Sequence, residues 1–521
     1  MTLFDLADRR AIPVPTSCGR SGTCHECIVD VTRGHEALSP PTPAEAFLKG
    51  KYRLACQAQI LHPETEIAFQ LLQRRPKILT QTEPGHITLN PLTQRYGTRV
   101  THNNEDLDEY RGAIYGVAID LGTTTIVLEI VDLESGQVRH VTALENPQRF
   151  GGSDVMNRIS YDAGPYKGEL HKAAIHAINH ELTAACRELH IPRHALYEMV
   201  VAGNSTMRDL FFNFDVQSIG QRPYKSITEH EYRGGLRNTT ALTTLAHKLG
   251  LLMHPKARIY GPPLISSHVG ADTAAALLAI DFESLKDPFL LVDIGTNTEV
   301  VAGANGRYVA ASCPAGPAFE GGLIEYGMPG CDGAIEALHF GDNHWHYRTI
   351  GDTEPQGICG SGLIDLLAEL RRHNLMSPMG VFPQRRNKIE IVPTHGITLS
   401  REDASHLAQA KSANYCGQFI VLRHLGLKPS DIRTLYLAGA FANYIAPSNA
   451  IDIGFLAPVP EDRIVKIGNA AALGARRMLL SQTERARIER AVANIEHIEL
   501  ETTPDFFDIF VEGCMYQPMP A

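Results

Sequence analysis

Cys18, Cys24, Cys27 and Cys56 place the tightest constraint on how this chain can fold. The first three lie in CGRSGTCHEC with the spacing Cys-x5-Cys-x2-Cys, and the fourth stands alone in RLACQ. A [2Fe–2S] cluster is held by four thiolates. A fold carrying one must bring the distant cysteine to the loop that bears the other three. Gly19 and Gly22 suit a loop whose amides point at cluster sulfurs, because glycine permits unusual dihedrals and close approach. Structural zinc and free thiols are the alternatives. Zinc sites usually pair two short Cys-x2-4-Cys hairpins, and Cys56 has no such neighbour. The spacing favours the cluster, and with it a protein that carries one electron at a time.

A chain of 521 residues is too long for one core and predicts about three or four domains. A net charge of −10 gives no basic footprint for nucleic acid. No run reaches the ~20 apolar residues of a membrane span, and MTLFDLADRR has no signal-peptide core. Ten cysteines without a secretory signal predict a reducing cytoplasm. Cys186, Cys313, Cys331, Cys359, Cys416 and Cys514 lack ligand spacing and read as buried thiols.

The expected organisation is α/β and multidomain. Residues 1–76 form the cluster domain, with IVDVTRG and EIAFQLL as strands and LSPPTPAEAFLKG as a Pro-rich turn entering a short helix. Residues 77–111 are polar, weakly periodic and read as a linker. At YGVAIDLGTTTIVLEIV the pattern changes to a buried strand, a Gly-Thr turn and a second strand. It returns at FLLVDIGTNTEVVAGA. Two such copies predict two related lobes, residues 112–205 and 206–521. GELHKAAIHAINHELTAACREL and REDASHLAQAKSANYCGQFIVLRHLG read as helices.

The repeated turns carry phosphate chemistry. Gly122 lets the backbone approach a phosphate, and Thr123, Thr124 and Thr125 offer amides and hydroxyls to its oxygens. Asp120 can hold Mg²⁺, usually through water. Asp293, Gly295, Thr296 and Asn297 repeat the set. One such turn also occurs as a plain hairpin; two, each between buried strands, point to paired phosphate loops.

These loops resemble those of the actin, sugar kinase and heat-shock chaperone ATPases. YLAGAFANYIAP resembles the adenosine motif of that superfamily, with Gly439-Ala440 where Gly-Gly is usual. VVAGNSTM, with Gly203 and Asn204, resembles the hinge-side connecting motif. The cysteine spacing resembles adrenodoxin-like ferredoxins, whose first gap also has five residues. A ferredoxin-like N-terminus on such an ATPase is a narrower match: from about residue 3 to 515 the chain resembles the reductive activators of corrinoid proteins. The segments that carry the likeness are NPQRFGGSDVMNRISY, PAGPAFEGG, GICGSGLID and LAGAFANYI.

The resemblance implies an α+β ferredoxin-like [2Fe–2S] domain followed by a two-lobed actin-like ATPase fold. It implies ATP, Mg²⁺ and a cluster as cofactors, and ATP-dependent one-electron reduction of a Co(II) corrinoid to Co(I). The implied partners are the corrinoid protein of a methyltransferase system and a low-potential electron donor. In this reading Asp120 and Asp293 arrange Mg²⁺ and the attacking water. Thr123, Thr124, Thr296 and Asn297 hold phosphates, and Gly439 and Ala440 border the nucleoside. Glu320 is a further catalytic candidate beside a glycine-rich turn; a structural hydrogen bond is its alternative. Gln148 and Asp154 could line the cleft or touch the partner, or Asp154 could cap a helix. His339, His344 and His346 read as a solvated hairpin. Two other functions compete: a small-molecule kinase of the sugar kinase type with a fused redox domain, and an electron carrier whose ATPase-like part only docks. A sugar kinase needs an extra acid as base for its substrate hydroxyl, and none stands out.

Two departures from the family carry expectations. Arg20, Ser21, His25 and Glu26 replace residues that are often Gly or Lys, so potential and docking surface should differ. LFDLADRRAIPVPTSCG begins almost at the helix leading to the cluster loop. A first hairpin of roughly twenty residues is therefore expected to be missing, leaving IVDVTRG or EIAFQLL with an open edge. Upstream in-frame coding sequence would supply it; otherwise the linker or a second subunit, as in a homodimer, would cover the edge.

Overall fold

The computed structural model describes residues 1–72, 87–439 and 442–520. They fall into two compact units, 1–72 with 91–261 and 87–90 with the remainder from 262 onward.

The first unit opens with helix α1, Leu3–Arg9, started by a capping box in which Thr2 and Asp5 bond reciprocally. Strands β1 (Ile28–Arg33), β2 (Tyr52–Leu54) and β3 (Ala68–Leu71) form an antiparallel sheet in the order β2-β1-β3. IVDVTRG is thus the central strand, paired on both sides. EIAFQLL pairs only with β1 among the described residues. The Pro-rich turn enters a short 3₁₀ helix, Pro43–Glu45. Glu45 is buried and joined to Arg53 and to the Leu54 amide, which closes this turn over β2.

The stretch expected as a linker contains a sheet: β4 (Thr93–Tyr96), β5 (Arg99–His102) and β6 (Glu105–Glu109) pair antiparallel in chain order. Its residues are mostly polar, with Thr93, Val100, His102 and Leu107 turned inward. The buried Thr93 hydroxyl reaches Glu198 at 2.7 Å and tacks the sheet to the lobe that follows.

That lobe is a six-stranded sheet with order β11-β12-β10-β7-β8-β9. Its strands are β7 (Tyr115–Leu121), β8 (Thr125–Asp132), β9 (Val138–Glu145), β10 (Leu196–Ala202), β11 (Leu242–Leu245) and β12 (Arg258–Gly261). Helices α2 (Val155–Asp162), α3 (Glu169–Glu188) and α4 (Ser205–Phe211) lie between β9 and β11 in the chain. The sheet therefore continues past residue 205, the expected boundary, to Gly261. Parallel pairing of β12 with β10 extends the same core after a turn that reads as a lobe end.

The second unit repeats the plan. Strands β13 (Phe289–Asp293), β14 (Thr298–Ala304) and β15 (Arg307–Cys313) are antiparallel neighbours. Ile464–Gly468 and Thr434–Ala438 extend the sheet beside β13, and Ile495–His497 extends it beside β15. The helix Arg401–Leu425 packs across β14 and β15. The three histidines lie on the hairpin Ala334–Gly341 and His344–Thr349, where His339 faces His346 across the strands and meets Glu369 at 3.0 Å.

Lys411 on the long helix is fully buried, and its Nζ has no hydrogen-bond partner among the described residues. Burial pushes the amine down to about 7, with the thiols of Cys514 and Cys416 opposing. The unfolded chain protonates this group below about 10.4. Folding therefore carries the full penalty below pH 7 and loses it as pH rises toward the unfolded value. Lys411→Met should raise stability at pH 7 by on the order of a few kcal/mol. The gain should shrink in denaturant titrations at about pH 10; an equal gain at both pH values would contradict it.

Candidate functional site

Strand register assembles the thiol cradle. Ile28 faces Leu54 across β1 and β2, so Cys27, just before β1, meets the segment just after β2. Ala55 N donates to Cys27 O at 2.8 Å, and the Sγ atoms of Cys27 and Cys56 lie 3.4 Å apart. Two sulfurs on one tetrahedral metal with bonds of about 2.3 Å stand about 3.8 Å apart. Cys18 and Cys24 form a second pair, each within contact of Thr16 Oγ1, at 3.9 and 4.0 Å. Thiols grouped two and two suit a two-iron core, in which each iron takes two thiolates.

The electrostatics favour the thiolate at Cys18 and at Cys56. Burial works against the Cys18 thiolate, yet hydrogen bonds from Ser21 and from the Cys24 and Thr23 amides bring the thiol down to about 4. The hydrogen bond from Cys27 brings Cys56 down to about 6, and the same contact pushes Cys27 up, so this pair holds one proton between them. Gly22 has φ +82°, and a Cβ there would stand 2.9 Å from Gln57 Nε2, the amide that donates to Cys56 Sγ.

The unusual loop residues are absorbed by the fold. Arg20 lies over the Phe4 ring at 4.1 Å and pairs with Asp5 and Asp8 of α1. Glu26 accepts from Ser17 Oγ at 2.6 Å. His25 stacks on Phe47 at 4.0 Å and meets Glu169 of α3 at 2.7 Å. These side chains hold the loop within its own unit.

The first Asp-x-Gly-Thr turn, the candidate phosphate loop, joins β7 to β8, with Asp120 near the end of β7. Gly122 N donates to Thr125 O at 3.0 Å, and a Cβ on Gly122 would lie 2.6 Å from that oxygen. Asn204 Nδ2 donates to Thr123 Oγ1 at 2.9 Å while Asn204 Oδ1 caps α4 through the Met207 amide. A Cβ on Gly203 would stand 2.8 Å from Leu121 O. The structure thus brings Gly203 and Asn204 to the loop of Gly122 and Thr123. Gln148 is fully buried, bonding Leu170 O and Arg158, so it does not line a cleft. Asp154 caps α2 through the Asn157 amide at 2.9 Å.

The second loop follows β13. Thr296 Oγ1 donates to Glu320 Oε2 at 2.5 Å, and Gly316 N donates to Thr296 O at 2.9 Å. Glu320 therefore belongs with Thr296. Ile294 N donates to Ala438 O at 2.9 Å, and Gly439, at φ +114°, would place a Cβ 2.1 Å from Ile294 O. Ala440 lies outside the described residues. Gly439→Ala should cost about 3 kcal/mol or more, from left-handed strain and backbone overlap. A clear fall in thermal midpoint and in nucleotide affinity is expected; wild-type values for both would contradict it.

Sequence reasoning missed two carboxylates at this loop. Glu299 faces Asp293 across β13 and β14. Burial, then the charges of Asp272 and Asp293, push it well above the ordinary range. Burial pushes Asp272 up to about 6. A glutamate inside the apolar strand TEVVAGA was the available signal. Such a group can hold a proton or answer a divalent cation.

Comparison with known proteins matches the chain region by region. The 2Fe-2S iron-sulfur cluster binding domain matches residues 1–61, the RACo middle region residues 115–285, and the C-terminal ASKHA domain of RACo residues 287–520. The chain is 29% identical to the corrinoid activation enzyme RamQ of Eubacterium limosum over 98% of its own length and 95% of RamQ. It is 25% identical to the [Co(II) methylated amine-specific corrinoid protein] reductase of Methanosarcina barkeri, covering 78% of each. The solved structure of a reductive activator for corrinoid, iron-sulfur protein superposes with a TM-score of 0.74 at 27% identity, covering 99% of this chain and 96% of that one. The N-terminal domain is a [2Fe–2S] domain, and residues 287–520 are an ATP-binding domain of the actin-like class. The thiol cradle, the two Asp-x-Gly-Thr turns and the matched regions occur in one order along one chain, which belongs to the family of reductive activators of corrinoid proteins.

Proposed function

We propose that this protein reduces the Co(II) corrinoid of a methyl-transfer corrinoid protein to Co(I) at the expense of ATP. The observation that carries the reading is the thiol cradle of Cys18, Cys24, Cys27 and Cys56 in the same compact unit as the glycine-dependent loop at Asp120. Cys18, Cys24, Cys27 and Cys56 would hold a [2Fe–2S] centre, which would supply one electron at a time. One electron from a low-potential donor would reduce the substrate Co(II) to Co(I).

Co(I) is a strong reductant, so the transfer runs uphill. A gap of about 0.1 V costs roughly 2.4 kcal/mol for one electron, within the about 1–3 kcal/mol of ordinary allosteric coupling. ATP need not touch the electron. Asp120 and Asp293 would place Mg²⁺ and the attacking water. Thr123, Thr124, Thr296 and Asn297 would hold phosphates, and Gly439 with Ala440 would border the nucleoside. Glu320 would orient Thr296, the residue it already bonds. The test is phosphate release. ATP turnover should be slow alone, rise when the Co(II) corrinoid protein is added, and yield no phosphorylated acceptor. A phosphorylated small molecule would point to a kinase instead.

A further inference from the structure

The segment NPQRFGGSDVMNRISY, residues 146–161, sends its side chains in two directions. Toward the first phosphate loop it takes three consecutive carbonyls. Asn146 Nδ2 donates to Gly122 O at 2.8 Å, Arg158 Nη2 to Thr123 O at 2.7 Å, and Asn146 N to Thr124 O at 2.7 Å. Toward the cluster domain, Arg149 Nη2 donates to Asp30 Oδ2 on β1 at 2.9 Å, and the Tyr161 hydroxyl donates to Phe47 O at 2.7 Å.

The contacts continue to the thiol loop. The Tyr161 ring meets Phe150 edge-on at 5.6 Å, Phe150 meets Phe47 edge-on at 5.6 Å, and Phe47 stacks on His25 at 4.0 Å. His25 lies between Cys24 and Cys27, and Asp30 follows Cys27 on β1. Arg158, Tyr161, Phe150, Phe47 and Asp30 are all buried. Side chains packed this closely pass displacement on rather than absorbing it. Arg158 and Tyr161 lie three residues apart on α2, so both ends of the connection ride on one short helix.

We propose that residues 146–161 couple nucleotide binding at the 120–125 loop to the environment of the cluster, with Arg149 and Tyr161 as positioning residues. The proposal rests on the reading that this loop takes ATP phosphates and that the thiols hold the cluster. Phosphate oxygens that draw in the loop amides turn the same peptide planes whose carbonyls Asn146 and Arg158 hold. Helix α2 and the Arg149 contact carry that displacement to Phe47 and to β1. Such coupling is reciprocal: the factor by which nucleotide shifts cluster reduction equals the factor by which reduction shifts nucleotide affinity.

The test uses the full-length, cluster-loaded protein with the non-hydrolysable analogue AMPPNP and Mg²⁺. Calorimetric affinities are measured with the cluster oxidised and then reduced. The expected ratio is about fivefold or more, which converts to a shift of about 40 mV in midpoint potential. Tyr161→Phe and Arg149→Gln should bring the ratio toward one while keeping iron content and oxidised-state affinity. Equal affinity in both oxidation states of the wild type overturns the proposal. So does a full wild-type ratio in both variants. A protein that assembles its cluster but binds no AMPPNP in either state overturns the phosphate-loop reading, and the coupling with it.

Discussion

Cys56→Ala is expected to strip the protein of its cluster, from about two irons and two sulfides per chain to a small residue of that content. Register is the reason. Cys56 reaches the other three thiols because β2 pairs with β1, and no other thiol follows it there. Its partner Cys27 lies 3.4 Å away and would lose the group that shares its proton. Cys186→Ala is the control, since this thiol is buried on α3 and removed from the cradle in sequence and fold. It should keep wild-type iron and sulfide. Stoichiometric zinc without acid-labile sulfide in the wild type, or an unchanged spectrum in Cys56→Ala, would remove the cluster assignment.

Asp120→Ala and Asp293→Ala should each lower Mg²⁺-dependent ATP turnover by about 100-fold or more, the scale of losing a group that stabilises developing charge. The visible spectrum should not change, because Asp120 and Asp293 are not thiol ligands and lie at the ends of β7 and β13. Wild-type turnover in both variants would show that these loops do not serve phosphate chemistry.

The sequence disclosed chemistry better than boundaries. Four thiols at fixed spacing leave few ways to fold, and the structure groups them two and two. The Asp-x-Gly-Thr turns were legible because glycine is required there; a Cβ at Gly122 overlaps Thr125 O. The sheet of residues 93–109 was read as linker because it turns few apolar residues inward. The first lobe was cut at residue 205 because Gly203-Asn204 is a real turn, while the strands that complete its sheet, Leu242–Leu245 and Arg258–Gly261, are short. Gln148 looked functional as a polar residue in a matching segment, yet it is an interior partner of Arg158. Glu299 escaped because a lone acid inside a strand announces no partner until the register sets it against Asp293.

The central claim is that ATP and the cluster act together on a corrinoid. Its most direct measurement is anaerobic absorption of a Co(II) corrinoid protein mixed with this protein and a low-potential reductant, with and without ATP and Mg²⁺. Conversion to Co(I) should require both ATP and the cluster, and should be lost in Cys56→Ala and in Asp293→Ala. Equal Co(I) yield without ATP, or with the cysteine variant, would contradict the account.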